Sequence, residues 1–351
     1  MERIEQLKEL YKSSFEDSDA YVDWFFENKY REDHVVSLAD NAGRILSALH
    51  LVERRVVLGG RSLRCPFVVA AATLPEFRGQ GNFEKVMLSA LYGMNEQGIV
   101  LTELFPVNHK YYLKYGFVTA GKLRVYKVPE RKASEGAGEC RVRACGRDDA
   151  EWLYWLYHSF VRDARADGWC DRTKADFVQL LDELASDGGV GRLVFRGENG
   201  LPVGYYFEEN DGNVPELVLT DYALLGEIGA LAGHPVTLPL WVERGRELPG
   251  NQARIVNVKK LLSLLRFDKS VCAAIRLRVR DSVLCHNNVT LSLVIAQGEV
   301  MTEECAEWDY ELSVEDLTRL VFGSYALYKN DLPEKLCEVF GKKNNICWEK
   351  F

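Results

Sequence analysis

The stretch from Val68 to Phe117 reads VVAAATLPEFRGQGNFEKVMLSALYGMNEQGIVLTELFPVNHKYYLKYGF and is the most informative part of the chain. An apolar strand leads into a turn that contains Gly79 and Gly81, and an amphipathic helix follows directly. Glycines at this point let a ligand come close to the main chain, and the free N–H groups at a helix start carry partial positive charge. The stretch therefore predicts a binding site for a diphosphate.

Two well-known phosphate motifs do not fit this turn. No Gly-Lys-Ser/Thr follows it, which excludes a P-loop, and Glu84 stands at the third glycine position of a dinucleotide-binding Gly-x-Gly-x-x-Gly. The segment Arg78-Gly79-Gln80-Gly81-Asn82-Phe83 instead resembles motif A of the GNAT superfamily of acetyltransferases, Arg/Gln-x-x-Gly-x-Gly/Ala. Phe83 departs from that motif at its last position. Tyr112, followed by Gly116-Phe117, adds to the resemblance. It implies a GNAT fold, which is a mixed sheet with helices, and acetyl-CoA as co-substrate.

Composition limits the function classes. The 351 residues suit two or three domains, and the net charge of −8 argues against a nucleic-acid or membrane partner and favours a cationic substrate. The nine cysteines form no Cys-x-x-Cys and the six histidines show no ligand spacing, so we expect reduced thiols and no metal. The chain has no apolar run of about 18 residues and begins with a charged amphipathic helix. We therefore expect a cytoplasmic protein.

The domain organisation is predicted from changes in composition. The class is α+β, because strand and helix patterns alternate along the chain. The polar segment PERKASEGAGE at 129–139 predicts a linker after a GNAT domain at 1–130. A second block at 139–250 contains no complete Arg/Gln-x-x-Gly-x-Gly/Ala motif, so it is expected to be an inactive, GNAT-like domain. The third block, 252–351, differs in composition, and Ser313 is expected to cap a helix within it.

The order of these three blocks resembles the enhanced intracellular survival family, a GNAT branch that acetylates many amines. In the third block the resemblance to a sterol carrier protein rests on Arg254–Val258, on Arg278–Asp281 with Asn287-Asn288, and on the residues at 316–323. It implies N-acetyl transfer to a primary amine of a cationic small molecule, including aminoglycoside-like acceptors, or to a lysine or peptide amine. It also implies a homo-oligomer, a hexamer.

The resemblance also implies a set of cofactor-binding residues. The pantetheine arm of acetyl-CoA is expected to pair with main-chain groups of Ala71 and Thr73. A further polar contact to CoA is expected from Asn108. The pyrophosphate is expected to meet the turn formed by Arg78, Gly79, Gln80, Gly81 and Asn82.

Two residues are expected to act in the chemistry. The general acid of the family corresponds to Tyr112, and a phenol can protonate a departing thiolate of comparable basicity. The family places its free C-terminal carboxylate, here that of Phe351, in the active site of the first domain. Such a carboxyl has a usual pKa of about 3.5, so we expect it to hold the ammonium or to act through water rather than to deprotonate the amine directly.

The acceptor contacts are predicted less directly. In GNAT folds the segment between the first two helices lines the acceptor pocket, which suggests Asp19, Trp24 and Phe25 here, with Glu349 near the terminus. A hydrophobic helix face explains Trp24 and Phe25 equally well. The alternative function is a non-catalytic protein that senses CoA or binds an apolar ligand in its third domain.

Overall fold

The structure is a computed structural model that describes residues 2–130, 140–197, 200–327, 331–346 and 348. Within these ranges the α-helices are α1 (Arg3–Lys12), α2 (Asp19–Asn28), α3 (Asn82–Glu96), α4 (Ala150–Asp163), α5 (Lys174–Ser186), α6 (Val258–Leu264), α7 (Val314–Val321) and α8 (Glu334–Phe340). The strands are β1 (Val35–Ala39), β2 (Ile45–Val52), β3 (Arg55–Leu58), β4 (Arg61–Arg64), β5 (Phe67–Thr73), β6 (Leu101–Leu104), β7 (Val118–Thr119), β8 (Lys122–Lys127), β9 (Cys140–Ala144), β10 (Ala166–Cys170), β11 (Val190–Arg196), β12 (Pro202–Glu208), β13 (Glu216–Leu219), β14 (Pro235–Pro239), β15 (Arg246–Pro249), β16 (Gln252–Ile255), β17 (Ala273–Arg280), β18 (Val289–Ala296), β19 (Glu299–Glu304), β20 (Tyr310–Ser313) and β21 (Asn344–Ile346). The predicted α+β class is confirmed.

The first sheet has the strand order β1-β2-β5-β6-β16-β7 and is covered by helices on both faces. Along β5, Phe67 and Val69 belong to the core shared with α1 and α2, whereas Val68 belongs to the core shared with α3. This alternation follows from the two-residue repeat of a strand, which sends successive side chains to opposite faces. β5 is therefore held between two apolar layers.

One strand of the first sheet comes from far along the chain. β16 lies between β6 and β7, because Gln252 pairs with Leu104 on one side and with Thr119 on the other. All four residues of β16 are buried. The predicted domain limits stay a prediction, but residues 252–255, which they assign to the third domain, complete the sheet of the first.

The hairpin of β3 and β4 belongs to a second sheet. It turns at Gly59-Gly60 and joins β10 and β21 in the order β21-β10-β3-β4. β21 runs parallel to β10, with Ala166 opposite Asn344 and Trp169 opposite Ile346. This pairing brings the end of the chain back to the central block.

The central block contains two further sheets, β13-β12-β11-β9 and β14-β8-β15. α4 and α5 pack against the first of them through the aromatic side chains of Tyr157, Phe160 and Phe177. Thr173 accepts a hydrogen bond from the Asp176 N–H and caps α5 in a capping box. These contacts fix α5, which forms one wall of a pocket described below.

The third block contains the sheet β19-β18-β17-β20 with α6 and α7 packed on it. Ser313 accepts from the Asp316 N–H at the start of α7, so the predicted cap is confirmed. The inward side chains of β17 and β18 share one apolar core with Leu101 and Ala253 of the first sheet. Within the described ranges, no helix combines the length and the apolar character needed to cross a membrane.

Candidate functional site

A cleft opens where β5 and β6 separate. The two strands run parallel and pair only at Phe67 with Glu103 and at Val68 with Leu104. Just beyond these pairs, Ala70 adopts a positive φ of 47° and the register between β2 and β5 shifts. Such a bulge bends its strand and leaves main-chain groups unpaired. The result is a cleft of about 620 Å³, and Ala71 and Thr73 lie in its wall.

The glycine turn closes one end of this cleft. Gly79 and Gly81 have φ values of 74° and 76°, in the left-handed region that favours glycine. Gly81 is the residue before α3, and no side chain caps that helix. By contrast, Ser18 caps α2 and Asn257 caps α6 through their side chains. The first N–H groups of α3 are thus left for a ligand, and a negatively charged one is favoured by the helix dipole.

The structure separates the predicted cofactor residues into two groups. The residues that line the cleft are Ala71, Thr73, Arg78, Gly79, Gly81 and Asn82. Two others do not lie among its described lining residues. The Gln80 amide donates to the Glu76 carbonyl at 3.1 Å, and the Asn108 side chain accepts from the Lys110 N–H at 3.0 Å in the turn after β6. Their side chains stabilise local turns.

Arg78 and Asn82 stabilise the turn from within. The Arg78 Nε donates to the Thr73 carbonyl oxygen at 2.9 Å, and the Asn82 amide donates to the Phe77 carbonyl oxygen at 3.0 Å. These bonds tie the turn to the end of β5. Arg78 remains exposed, so its charge is still available to an anion in the cleft.

Tyr112 is not among the described residues that line the cleft, but it lies beside it in an aromatic cluster with the lining residue Phe83. Its half-buried ring contacts Phe83 at 6.2 Å and Phe117 at 6.0 Å between centroids, both edge-on. Burial, with smaller contributions from Tyr111 and Tyr115, raises the pKa of Tyr112 to about 12. Its hydroxyl makes no hydrogen bond to any residue that the structure describes. The phenol is therefore protonated at neutral pH and has a proton to donate.

Two neighbouring tyrosines line the cleft directly, and the sequence analysis did not select them. Tyr111 is partly exposed, whereas Tyr115 is buried, and burial raises the pKa of Tyr115. Lys114 forms an ion pair with Glu84 at 3.0 Å, which links this turn to the first turn of α3. The three tyrosines within five residues were a visible signal, but a core role explained Tyr111 and Tyr115 equally well from sequence.

A second pocket, of about 220 Å³, lies next to the cleft. Phe15 lines the cleft, and Asp17, two residues later, lines the pocket together with Tyr21. The opposite wall comes from α5 and the sheet of the central block, and Trp348 completes it. The carboxylates in the wall outnumber the guanidinium groups of Arg54 and Arg172, and they belong to Asp17, Glu183, Asp187, Glu209 and Glu216.

Part of this charge is neutralised within the pocket wall. Arg172 donates from both terminal nitrogens to Glu216, at 2.7 and 2.8 Å, and both side chains are buried. Asp17 instead accepts from the Tyr11 hydroxyl at 2.6 Å, and Asp187 accepts from the Ser18 hydroxyl at 2.8 Å. Because these donors are neutral, the two aspartates keep their negative charge facing the pocket and favour a cation.

The predicted acceptor segment lines this pocket, but through other residues. Phe25 is 1% exposed and packs in the core of the first domain, so it presents no surface to a ligand. Asp19 points to solvent and pairs with Lys12 at 2.5 Å. Trp24 lies under the Lys29 ammonium, 5.4 Å from its ring centroid, and is not among the described lining residues. The pitch of α2 explains the burial of Phe25, which lies three residues after the buried Val22.

The end of the chain approaches the same pocket. Trp348 is buried and stacks on Phe160, with 5.4 Å between ring centroids. Glu349 and Phe351, the predicted contacts from the terminus, lie outside the described residues. The described part of the chain contains no cluster of three His, Cys, Asp or Glu side chains suited to a metal ion.

Comparison with known proteins gives two matches to family models. Residues 1–120 match the acetyltransferase (GNAT) domain, and residues 258–332 match the sterol carrier protein domain. The GNAT domain and the sterol-carrier-like domain predicted from sequence are thereby confirmed. No curated protein sequence matches the chain.

Solved structures share the whole architecture. A GCN5-related N-acetyltransferase from Kribbella flavida is 18% identical and has a TM-score of 0.77, over 99% of this chain and 96% of that one. A probable N-acyltransferase from Enterococcus faecalis is 18% identical and has a TM-score of 0.79, over 100% and 97%. Eis1 from Mycobacterium abscessus is 16% identical and has a TM-score of 0.70, over 99% and 97%. At these identities the likeness shows the fold.

Proposed function

Residues 1–120 are a GNAT acetyltransferase domain, and we propose that this chain transfers the acetyl group of acetyl-CoA to a primary amine of a cationic acceptor. One observation carries the proposal. The uncapped start of α3, behind two left-handed glycines, opens onto a cleft of about 620 Å³ that has a protonated phenol at its side. This arrangement supplies what a CoA thioester needs, which is a diphosphate site and a proton donor.

Different residues of the cleft bind different parts of acetyl-CoA. The N–H groups at Gly81 and Asn82 hold the pyrophosphate, and Arg78 adds a positive charge beside it. The main chain of Ala71 and Thr73 in the cleft wall pairs with the pantetheine arm. An N–H of this strand also stabilises the negative charge that develops on the carbonyl oxygen.

The chemistry is a direct transfer within a complex of both substrates. The amine nitrogen attacks the thioester carbon, the new C–N bond forms, and the C–S bond breaks. The Tyr112 hydroxyl donates its proton to the sulfur as it leaves. The ammonium loses one proton to water before the attack, and the second proton that leaves the nitrogen returns through water to the Tyr112 phenolate. We assign to the Phe351 carboxylate the task of holding the ammonium before it is deprotonated.

The acidic pocket beside the cleft is the proposed acceptor site. Asp17 and Asp187 keep their charge there, since neutral hydroxyls are their hydrogen-bond donors. An acceptor with several ammonium groups could place one toward the cleft and another against these carboxylates. This favours polyamines, aminoglycoside-like amines and lysine-rich peptides over neutral amines.

The second candidate function is a non-catalytic protein that senses CoA or binds an apolar ligand in its third domain. A ligand in that domain would need the inner face of its sheet, but Leu277, Leu291 and Leu293 there are packed against α6 and α7 and are not exposed. The observed packing therefore favours a structural role for this domain over binding of an apolar ligand.

The test measures release of the CoA thiol from acetyl-CoA with a panel of amines. We expect Tyr112→Phe to lower kcat by roughly 10²–10⁴ and to leave the Kd of CoA unchanged. Tyr115→Phe is the matched control, because it removes a second phenol from the same cluster. If Tyr115→Phe causes the loss and Tyr112→Phe does not, the acid is Tyr115.

A second measurement separates the enzyme from a CoA sensor. CoA at 100 times its Kd should stabilise the folded chain by roughly 2.7 kcal/mol in either case. Stabilisation by CoA without acetylation of any amine in the panel would support the sensor. No stabilisation would contradict both functions.

A further inference from the structure

Both ends of the segment that carries Tyr112 are held by side chains of one strand, β16. The Gln252 side-chain amide donates to the His109 carbonyl oxygen at 2.9 Å, three residues before Tyr112. The Arg254 guanidinium lies against Gly116, four residues after Tyr112. Residues 109–116 are called the acid segment below.

Within the described residues, the other backbone hydrogen bonds of the acid segment join residues close in sequence. Tyr115 N–H bonds to the Tyr112 carbonyl at 3.0 Å, and Gly116 N–H bonds to the Leu113 carbonyl at 2.9 Å. Such bonds shape the turn but do not set its position relative to the sheet. Gln252, which is fully buried and paired with strands on both sides, provides a fixed reference for that position.

Arg254 provides the second reference point. Its guanidinium is fully buried, and a Cβ on Gly116 would come within 2.0 Å of one terminal nitrogen. The other terminal nitrogen donates to both oxygens of Asp281, at 3.1 and 2.9 Å. Gly116 also needs its φ of 80°, so both its backbone and its missing side chain suit this contact.

The third domain holds Arg254 in turn. Asp281 accepts from the N–H groups of Val283 and Leu284, at 2.9 and 3.0 Å, and from the Asn287 amide at 2.9 Å. The side-chain amide oxygen (Oδ1) of Asn287 accepts from the Val258 N–H at the start of α6. The guanidinium that contacts the acid segment is thus fixed by residues 258–287, which lie outside the acetyltransferase domain.

We propose that Gln252 and Arg254 are positioning residues for the general acid, and that they set the distance between the Tyr112 phenol and the thioester sulfur. The proposal rests on the role given to Tyr112 above. Proton transfer needs the two heavy atoms about 2.6–3.2 Å apart, and a displacement of about 1 Å can cost a hundredfold in rate. The third domain therefore contributes to catalysis without contacting either substrate.

The experiment uses the full chain and the variant Gln252→Met, which keeps the length and approximate volume of the side chain but removes its amide donor. We expect kcat with acetyl-CoA to fall roughly tenfold or more, with the Kd of CoA and the melting temperature nearly unchanged. Thr102→Val is the matched control. It removes a buried hydrogen bond of 2.7 Å to the Pro66 carbonyl in the same sheet without contacting the acid segment, and kcat should be unchanged.

A double-mutant cycle distinguishes positioning from a general structural effect. If Gln252 acts through the phenol, Gln252→Met lowers kcat in the parent chain but has little effect once Tyr112→Phe is present. An equal loss in both backgrounds would overturn the inference. If Tyr112→Phe alone does not lower kcat, the proposed general acid is wrong instead. The experiment therefore distinguishes failure of the positioning role from failure of the proposed function.

Arg254→Lys covers the case in which Gln252→Met does not fold. The lysine keeps a positive charge for Asp281 but lacks the planar group that contacts Gly116. The same cycle applies to it, with the same expectation of a loss that requires Tyr112. A loss independent of Tyr112 would again overturn the inference.

Discussion

Replacing Gly81 with alanine separates the backbone requirement of the turn from its part in binding CoA. Gly81 has a φ of 76°, and no atom of the described residues lies within 4 Å of the position of its missing Cβ. The added methyl therefore meets no clash. The cost to stability comes from the left-handed backbone alone and amounts to about 1–2 kcal/mol.

Gly43 provides the matched control for that cost. It lies in the turn between β1 and β2, with a φ of 79° and equally open space around it. Gly43→Ala should therefore lower the free energy of unfolding by a similar amount. Any difference between the two variants in CoA binding then reports on the position of Gly81 and not on backbone strain.

CoA binding should respond only at Gly81. Charge-assisted hydrogen bonds between N–H and phosphate oxygen are about 2.7–2.9 Å long, and a methyl beside these N–H groups occupies the approach of the phosphate. A shift of φ to relieve strain would also turn the N–H of Asn82 away. We expect the Kd of CoA to rise at least tenfold in Gly81→Ala, which is about 1.4 kcal/mol.

Titration calorimetry with two ligands completes the assay. Pantetheine lacks the diphosphate, so Gly81→Ala should weaken CoA but change the weaker binding of pantetheine little. Gly43→Ala should change neither. The reasoning is refuted if both variants bind CoA with the same Kd, since the turn would then not be the diphosphate site.

Two further predictions concern charge and protonation. Tyr112 must be protonated to act as an acid, and burial raises its pKa to about 12. Ionisation of Tyr112 should therefore not reduce kcat below about pH 10. A fall in kcat with rising pH below that value, seen in the parent chain but absent from Tyr112→Phe, would contradict this. Asp17→Asn should raise the KM of a dicationic acceptor roughly threefold to fivefold and leave CoA binding unchanged, because it removes a charge from the pocket wall. Asp19→Asn is its control, since that carboxylate points to solvent beside Lys12, and equal effects on KM would place the acceptor elsewhere.

The cleft at the glycine turn could be predicted from sequence because its determinants are local. A strand, two glycines and a helix start follow one another within about fifteen residues, and backbone rules alone say what such an order binds. Gly79 and Gly81 adopt the left-handed conformation that this reading requires. Gln80 and Asn108 were less predictable, because a polar side chain beside a turn can equally well bond to the turn itself.

The acceptor side could not be predicted residue by residue. The segment after α1 was identified, but which of its side chains face the pocket depends on the helical phase of α2 and on the position of α5. Tyr21 faces α5 and donates to Glu183 at 3.3 Å, whereas Phe25, one helical turn later, faces the core. The two residues lie on the same side of α2, so the difference between them comes from where α5 packs along that helix. Sequence patterns within α2 carry no information on that position.

The strand β16 explains why neither the domain limits nor the contacts that hold the acid segment could be predicted from the order of residues along the chain. Gln252 and Arg254 are polar, yet both are fully buried within the first sheet, so their strand shows no apolar pattern that would assign it there. A fragment that ends at residue 120 would keep the glycine turn but expose the β6 edge, which β16 covers, and would lose both contacts to the acid segment. In the mechanism proposed above, binding of CoA and donation of the proton therefore depend on different parts of the chain. The first follows from neighbours in sequence, and the second requires residues more than a hundred positions away to fold onto the same sheet.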